Sequence, residues 1–138
     1  MRYLLPLLLL LTACSSGPVM TMQNVDPAMR TDTLQASYDQ TFTAILDAYS
    51  ARGFGVEEAN KEVGLARSGY KQSGNIVGAK ARSQLSARVS RIDSVRTRVQ
   101  LTFTAERETL NGWRAASVTQ ERANELYREA FGRFREFL

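Results

Sequence analysis

The sequence predicts an α+β domain: a two-layer sandwich in the order helix, three or four antiparallel strands, helix, with both helices on one face of the sheet. Two helical stripes and one stretch of strict alternation carry that expectation. Leu34, Tyr38, Phe42, Ile45, Leu46 and Tyr49 fall at steps of 4, 4, 3, 1 and 3, the spacing of one helix face. Near the other end, Ala123, Leu126, Tyr127, Ala130, Phe131, Phe134, Phe137 and Leu138 repeat the pattern with an aromatic-rich side. Between them the period drops to 2, and stacking both stripes on one sheet face hides all the apolar surface at once.

The first helix is expected to open with a capping box from Asp32 and Gln35 and to close at Gly53, a left-handed C-cap. Phe54 and Val56 then alternate with polar neighbours, Asn60-Lys61 offers a turn, and Val63 to Tyr70 reads as a second strand. Lys71 to Arg82, basic, glycine-bearing and aperiodic, reads as a long mobile loop. The clearest hairpin follows: Leu85, Ala87 and Val89 alternate with Ser86, Arg88 and Ser90. After Asp93-Ser94 the alternation resumes through Val95, Thr97, Val99, Leu101, Phe103 and Ala105, leaving Arg96, Arg98, Gln100, Thr102, Thr104 and Glu106 on the wet face. Asn111-Gly112 signals another turn, Trp113 to Ser117 a short edge strand, and Ser117 with Gln120 a second capping box.

The 138 residues suit one domain. Hydrophobic residues make up 43% and charged residues 23%, which excludes fibrous and wholly disordered chains. There is no histidine and a single cysteine, so histidine-based acid–base chemistry, most metal sites and any internal disulfide drop out, and no cofactor is expected. No protein serine has a histidine to activate it, and neither GxSxG nor SxxK occurs.

Arg2 followed by the apolar run Leu4 to Leu11, broken only by Pro6, fits a secretory leader and is too short to span a bilayer. Directly behind it, Leu11-Thr12-Ala13-Cys14 resembles the lipobox of bacterial lipoproteins. That resemblance implies cleavage after residue 13 and a diacylglyceryl group on the Cys14 thiol; two or three acyl chains hold a protein to a membrane where one would be marginal. Ser15 in place of Asp resembles the default for outer-membrane sorting. The expected organisation is a signal peptide over 1–13, a lipidated cysteine and flexible tether over 14–31, and a single domain over 32–138. Localisation follows as exported and lipid-anchored, on the periplasmic side of the outer membrane.

Loss of Arg2 takes the 18 basic residues to 17 against 14 acidic, a formal charge of +3 in place of +4. The distribution is uneven. Nine basic residues lie between Lys61 and Arg98 against only Glu62 and Asp93. Six of them, Lys71, Lys80, Arg82, Arg88, Arg96 and Arg98, form a candidate patch for anionic lipid headgroups, acidic glycans or an acidic envelope partner. The plain alternative is a solvated face. Nucleic acid is a poor partner for an exported, anchored chain.

Other motifs fail on spacing. Gly74 to Lys80 lacks the GxxxxGK[ST] pattern of a phosphate loop. Glu57 and Glu58 point to opposite sides of a strand unless a bulge intervenes, and Glu106 and Glu108 read as solvated edge residues. The helix ending in Ala51-Arg52-Gly53-Phe54, the strands, and the closing helix from Leu126-Tyr127 to Phe137-Leu138 together resemble the BamC-like helix-grip domains of envelope lipoproteins, over roughly residues 33 to 138. The function expected is therefore a non-catalytic interaction module, an accessory subunit held beside a larger envelope complex. The alternative is a periplasmic carrier of a small or lipidic molecule, with a pocket between sheet and helices.

Overall fold

The computed structural model describes residues 19–74 and 80–138. The predicted leader over 1–13, Cys14 and the centre of the Gly74–Lys80 loop lie outside the described residues. The chain is α+β, with a mainly antiparallel sheet and two helices: β1 (Val19–Thr21), a 3-10 turn (Met22–Asn24), β2 (Thr31–Leu34), α1 (Tyr38–Ala51), β3 (Val56–Asn60), β4 (Leu65–Ser68), β5 (Lys71–Gly74), β6 (Lys80–Arg91), β7 (Thr97–Thr109), β8 (Gly112–Ala115), β9 (Ser117–Thr119) and α2 (Gln120–Glu136). Three or four strands were expected; among the described residues the main sheet has seven, in the order β2-β7-β6-β4-β3, with β5 on β6 and β8 on β7.

The hairpin of β6 and β7 matches the alternation in sequence and runs longer than the pattern suggests. Ala81 through Arg91 pair with Arg107 through Thr97 without a break. On one side Leu85, Ala87, Val89, Val99 and Leu101 are buried. Val95, expected to begin the apolar row, sits in the connecting turn and is exposed; Thr97 takes the first inward place, its hydroxyl donating to Ala36 O at 2.9 Å.

Helix α1 starts later than expected. Leu34 belongs to β2, and Asp32 lies on that strand in an ion pair with Arg135. The capping box is made by Ser37 and Gln40. Its end follows the sequence: Gly53 has φ +77°, and Gly53 N and Phe54 N donate to Ser50 O and Tyr49 O at 3.0 and 2.9 Å, a Schellman closure. Thr119 caps α2, accepting from Arg122 N at 3.2 Å, while Ser117 is held in β9. At α1 both competing pairs, Asp32 with Gln35 and Ser37 with Gln40, have a polar residue three places before a glutamine. Strand pairing of Asp32 and Ser117 fixes which residue caps each helix.

One apolar cluster takes Phe42, Ile45, Ala48 and Tyr49 from α1, Ala123, Tyr127, Ala130, Phe131 and Phe134 from α2, and the inward row of the hairpin. Tyr49 and Phe134 meet edge to face at 6.2 Å between ring centroids, and Arg52 joins Glu129 at 2.7 Å across the helices. Phe137 and Leu138, expected in the same stripe, lie past the helix end and are exposed. The two buried phenols keep hydrogen bonds: Tyr49 donates to Ala66 O at 3.2 Å, and Tyr127 accepts from Phe103 N at 3.0 Å. Burial pushes both phenols above their ordinary pKa.

The N-terminal segment departs most from its expected form. In place of a tether reaching residue 31, β1 pairs with β9, Met22 and Val25 enter the core at 2% exposure each, and β2 pairs with β7. Arg30 O accepts from Leu101 N at 2.7 Å, continuing that edge. Each element is too short to show a period, so aperiodic sequence reads as tether although two apolar anchors hold it. Likewise Lys71–Gly74, expected within a mobile loop, pairs with Lys80–Ser83 as β5 on β6.

Gly64 turns β3 into β4 with φ +71°, and a Cβ there would stand 2.1 Å from Val89 O. Gly64→Ala is expected to cost more than the roughly 1–2 kcal/mol of left-handed strain alone. Thermal unfolding should shift down by roughly 5–10 °C. Gly112→Ala, with φ +96° but open space around it, should shift less.

Candidate interaction surface

The pairing that buries one row of the hairpin turns the other outward. Arg82, Gln84, Ser86, Arg88 and Ser90 of β6 alternate with the core row, and opposite them stand Glu106, Thr104, Thr102, Gln100 and Arg98 of β7. Thr33 of β2 pairs with Arg98, and Leu65 and Arg67 of β4 pair with Arg88 and Ser86. Arg88, Ser90, Arg98 and Gln100 are exposed.

The six basic residues singled out in the sequence do not form one patch. Lys71 pairs with Ser83, a register that turns it to the helix side; its Nζ donates to Arg52 O at 2.5 Å and lies 5.5 Å from the Phe54 ring centroid. Arg96 is in the β6–β7 turn, tied to Asp93 at 2.7 Å. The Val95 N–H and then Arg96 hold the Asp93 carboxyl below the usual carboxylate range. Lys80 is exposed at the start of β6, opposite Gly74.

Arg82 is locked in place. Its Nε meets Glu106 Oε2 at 2.5 Å, and its guanidinium lies 4.1 Å from the Tyr70 ring centroid and 4.4 Å from that of Trp113. Parity explains the arrangement: Trp113 pairs with Glu108, on the same side as Glu106 and Arg82. A planar guanidinium stacks on aromatic faces while its edge meets a carboxylate, which lysine could not reproduce.

A second ion cluster sits near the other edge. The register shifts between Val56 and Glu58, so the neighbours Glu57 and Glu58, expected on opposite sides, both reach Arg67, at 3.2 and 2.9 Å. Gln84 donates to Glu57 at 2.9 Å. The two carboxylates converge on a cation rather than on a reacting atom. The sequence held the condition for this, a bulge, without a signal for where it falls.

Arg88 and Arg98 remain. No ion pair involves either among the described residues. Their directly paired neighbours are Gln100, Leu65, Ser90 and Thr33, none of them acidic. The pair lies diagonally across the two strands, at a Cα spacing of about 7–8 Å.

The grooves are surface clefts. One of about 770 Å³ is lined by Thr119, Gln120, Glu121, Arg122, Asn124, Glu125 and Arg128; another of about 400 Å³ lies between Tyr38, Lys61, Glu62, Val63 and Val89–Arg91. Among the described residues no three Cys, Asp or Glu side chains are grouped to hold a metal, and no helix is long and apolar enough to cross a membrane. Comparison with known protein families finds no match for the sequence, and comparison with curated proteins finds none either.

The chain has a single tryptophan, which makes the Arg82 stack observable. Arg82→Ala should uncover both rings and leave Glu106 without its cation. Trp113 emission should move to longer wavelength while the far-ultraviolet dichroism stays unchanged; an unshifted spectrum would remove the stack from solution.

Proposed function

We propose that this chain is an exported lipoprotein anchored through Cys14, and that its domain is a non-catalytic interaction module held at the outer membrane on the periplasmic side. The observation that carries the reading is the order of the N-terminal residues: a basic Arg2, an apolar run to Leu11, and Leu11-Thr12-Ala13-Cys14 immediately after it. A lone thiol at that place is the acceptor that lipidation requires.

The start of β1 at Val19 refines the reading. Five residues from Cys14 span at most about 17 Å, at ~3.3 Å per residue. The domain would stand close to its membrane instead of swinging on a long tether. In this reading both helices cover one face of the sheet as a two-layer sandwich, and the opposite, arginine-bearing face is left for a partner. The carrier alternative needs an apolar chamber of several hundred cubic ångströms; the charged linings of the grooves above favour the interaction module.

Cys14→Ser is expected to move the protein out of the membrane fraction or leave its leader uncleaved, and intact mass of the native protein should exceed that of residues 14–138 by a diacylglyceryl group or more. A native chain with an unmodified amino terminus would refute the anchor.

A further inference from the structure

The outer sheet face contains four arginine side chains, Arg67, Arg82, Arg88 and Arg98, whose surroundings differ. Arg67 is held by two carboxylates, and Arg82 by one carboxylate and two rings. Of those five acidic or aromatic partners, Glu57 and Glu58 belong to β3, and Glu106, Tyr70 and Trp113 surround Arg82 at the end of the hairpin away from its turn. Toward the turn end of the hairpin, beside β2, Arg88 and Arg98 share the ladder, exposed, flanked by Ser90, Gln100 and Thr33 and provided with no counter-ion among the described residues. Two unpaired like charges on diagonal positions repel each other and add nothing to folding. A bound anion removes the repulsion and gains charge-assisted hydrogen bonds from two planar donors.

We propose that Arg88 and Arg98 form the centre of a docking site for an acidic segment of a protein partner. This rests on the reading of the domain as an interaction module and names what the module takes. The charge layout selects a protein over a membrane. Glu57, Glu58, Glu106 and Glu108 lie on the same face away from the pair, so a flat anionic lipid surface laid on it would meet these carboxylates as well as the arginines. A polypeptide can set its carboxylates over the arginine pair and place neutral or basic side chains over the acidic part of the face. Serine, threonine and glutamine beside the pair offer neutral hydrogen bonds to the rest of such a segment.

The site is tested with the native chain in phosphatidylcholine nanodiscs and a fluorescein-labelled oligoglutamate peptide, read by anisotropy at low salt. Arg88→Gln with Arg98→Gln should weaken binding about tenfold or more, the loss of two charge-assisted contacts, and binding should fall with added salt. Arg128→Gln with Arg133→Gln, which removes the same charge from α2, should leave it unchanged. The Arg88/Arg98 variant should unfold at or slightly above the native temperature, because it relieves repulsion. Absence of peptide binding, equal loss in the α2 variant, or tighter binding of phosphatidylglycerol vesicles than of peptide through the same two arginines would each overturn the proposal. Failure of the anchor appears separately, in the membrane fractionation of Cys14→Ser, and leaves the peptide titration as it was.

Discussion

Eleven consecutive residues of β6 pair with eleven of β7, and that single register decides what every other element meets. Side chains alternate between faces, so a slip of β6 by one residue against β7 would send Arg82 and Arg88 into the core and Leu85 and Val89 into water. With the register as it stands, the inner part of one row, Leu85, Ala87, Val89, Val99 and Leu101, joins the apolar cluster with residues of α1 and α2, and Arg91 and Arg107 stand only at its ends. The reverse row is polar throughout. Core and candidate surface are therefore consequences of the same ladder.

The edges of the hairpin are closed by short pieces that gain their structure from it. On the β7 side, β2 and β8 occupy the two ends; between them Arg30 O and Tyr127 Oη accept from Leu101 N and Phe103 N, and Ala105 O accepts from Ala116 N. Little of β7 is left as an open ladder onto which a foreign strand could add. On the β6 side, β4 and β5 share the edge, and the buried Ser68 hydroxyl accepts from Leu85 N at 2.9 Å where they meet. The edges of the hairpin are thus largely covered, while its outward face carries two arginines without an ion pair among the described residues.

Long, periodic elements were legible in the sequence and short ones were not. The hairpin, the two helical stripes and the Gly53 closure follow from spacing alone, because each is repeated over many residues or marked by a residue of unusual backbone freedom. The start of α1 was misplaced: Asp32-x-x-Gln35 and Ser37-x-x-Gln40 carry the same signal, and only tertiary pairing of Asp32 in β2 separates them. Met22 and Val25 gave no pattern because a 3-10 turn and three-residue strands have none to give. On the candidate surface, alternation placed Arg88 and Arg98 correctly. The parity of Lys71 depended on an unanticipated strand, and the convergence of Glu57 and Glu58 on a bulge whose position no residue type announces.

Thiol accessibility along β7 tests the governing register most directly. In a chain carrying Cys14→Ser, the variants Arg98→Cys, Val99→Cys, Gln100→Cys and Leu101→Cys would be made one at a time and labelled under native conditions. The account predicts fast labelling at 98 and 100 and protection at 99 and 101. Uniform labelling, or the inverse alternation, would contradict it.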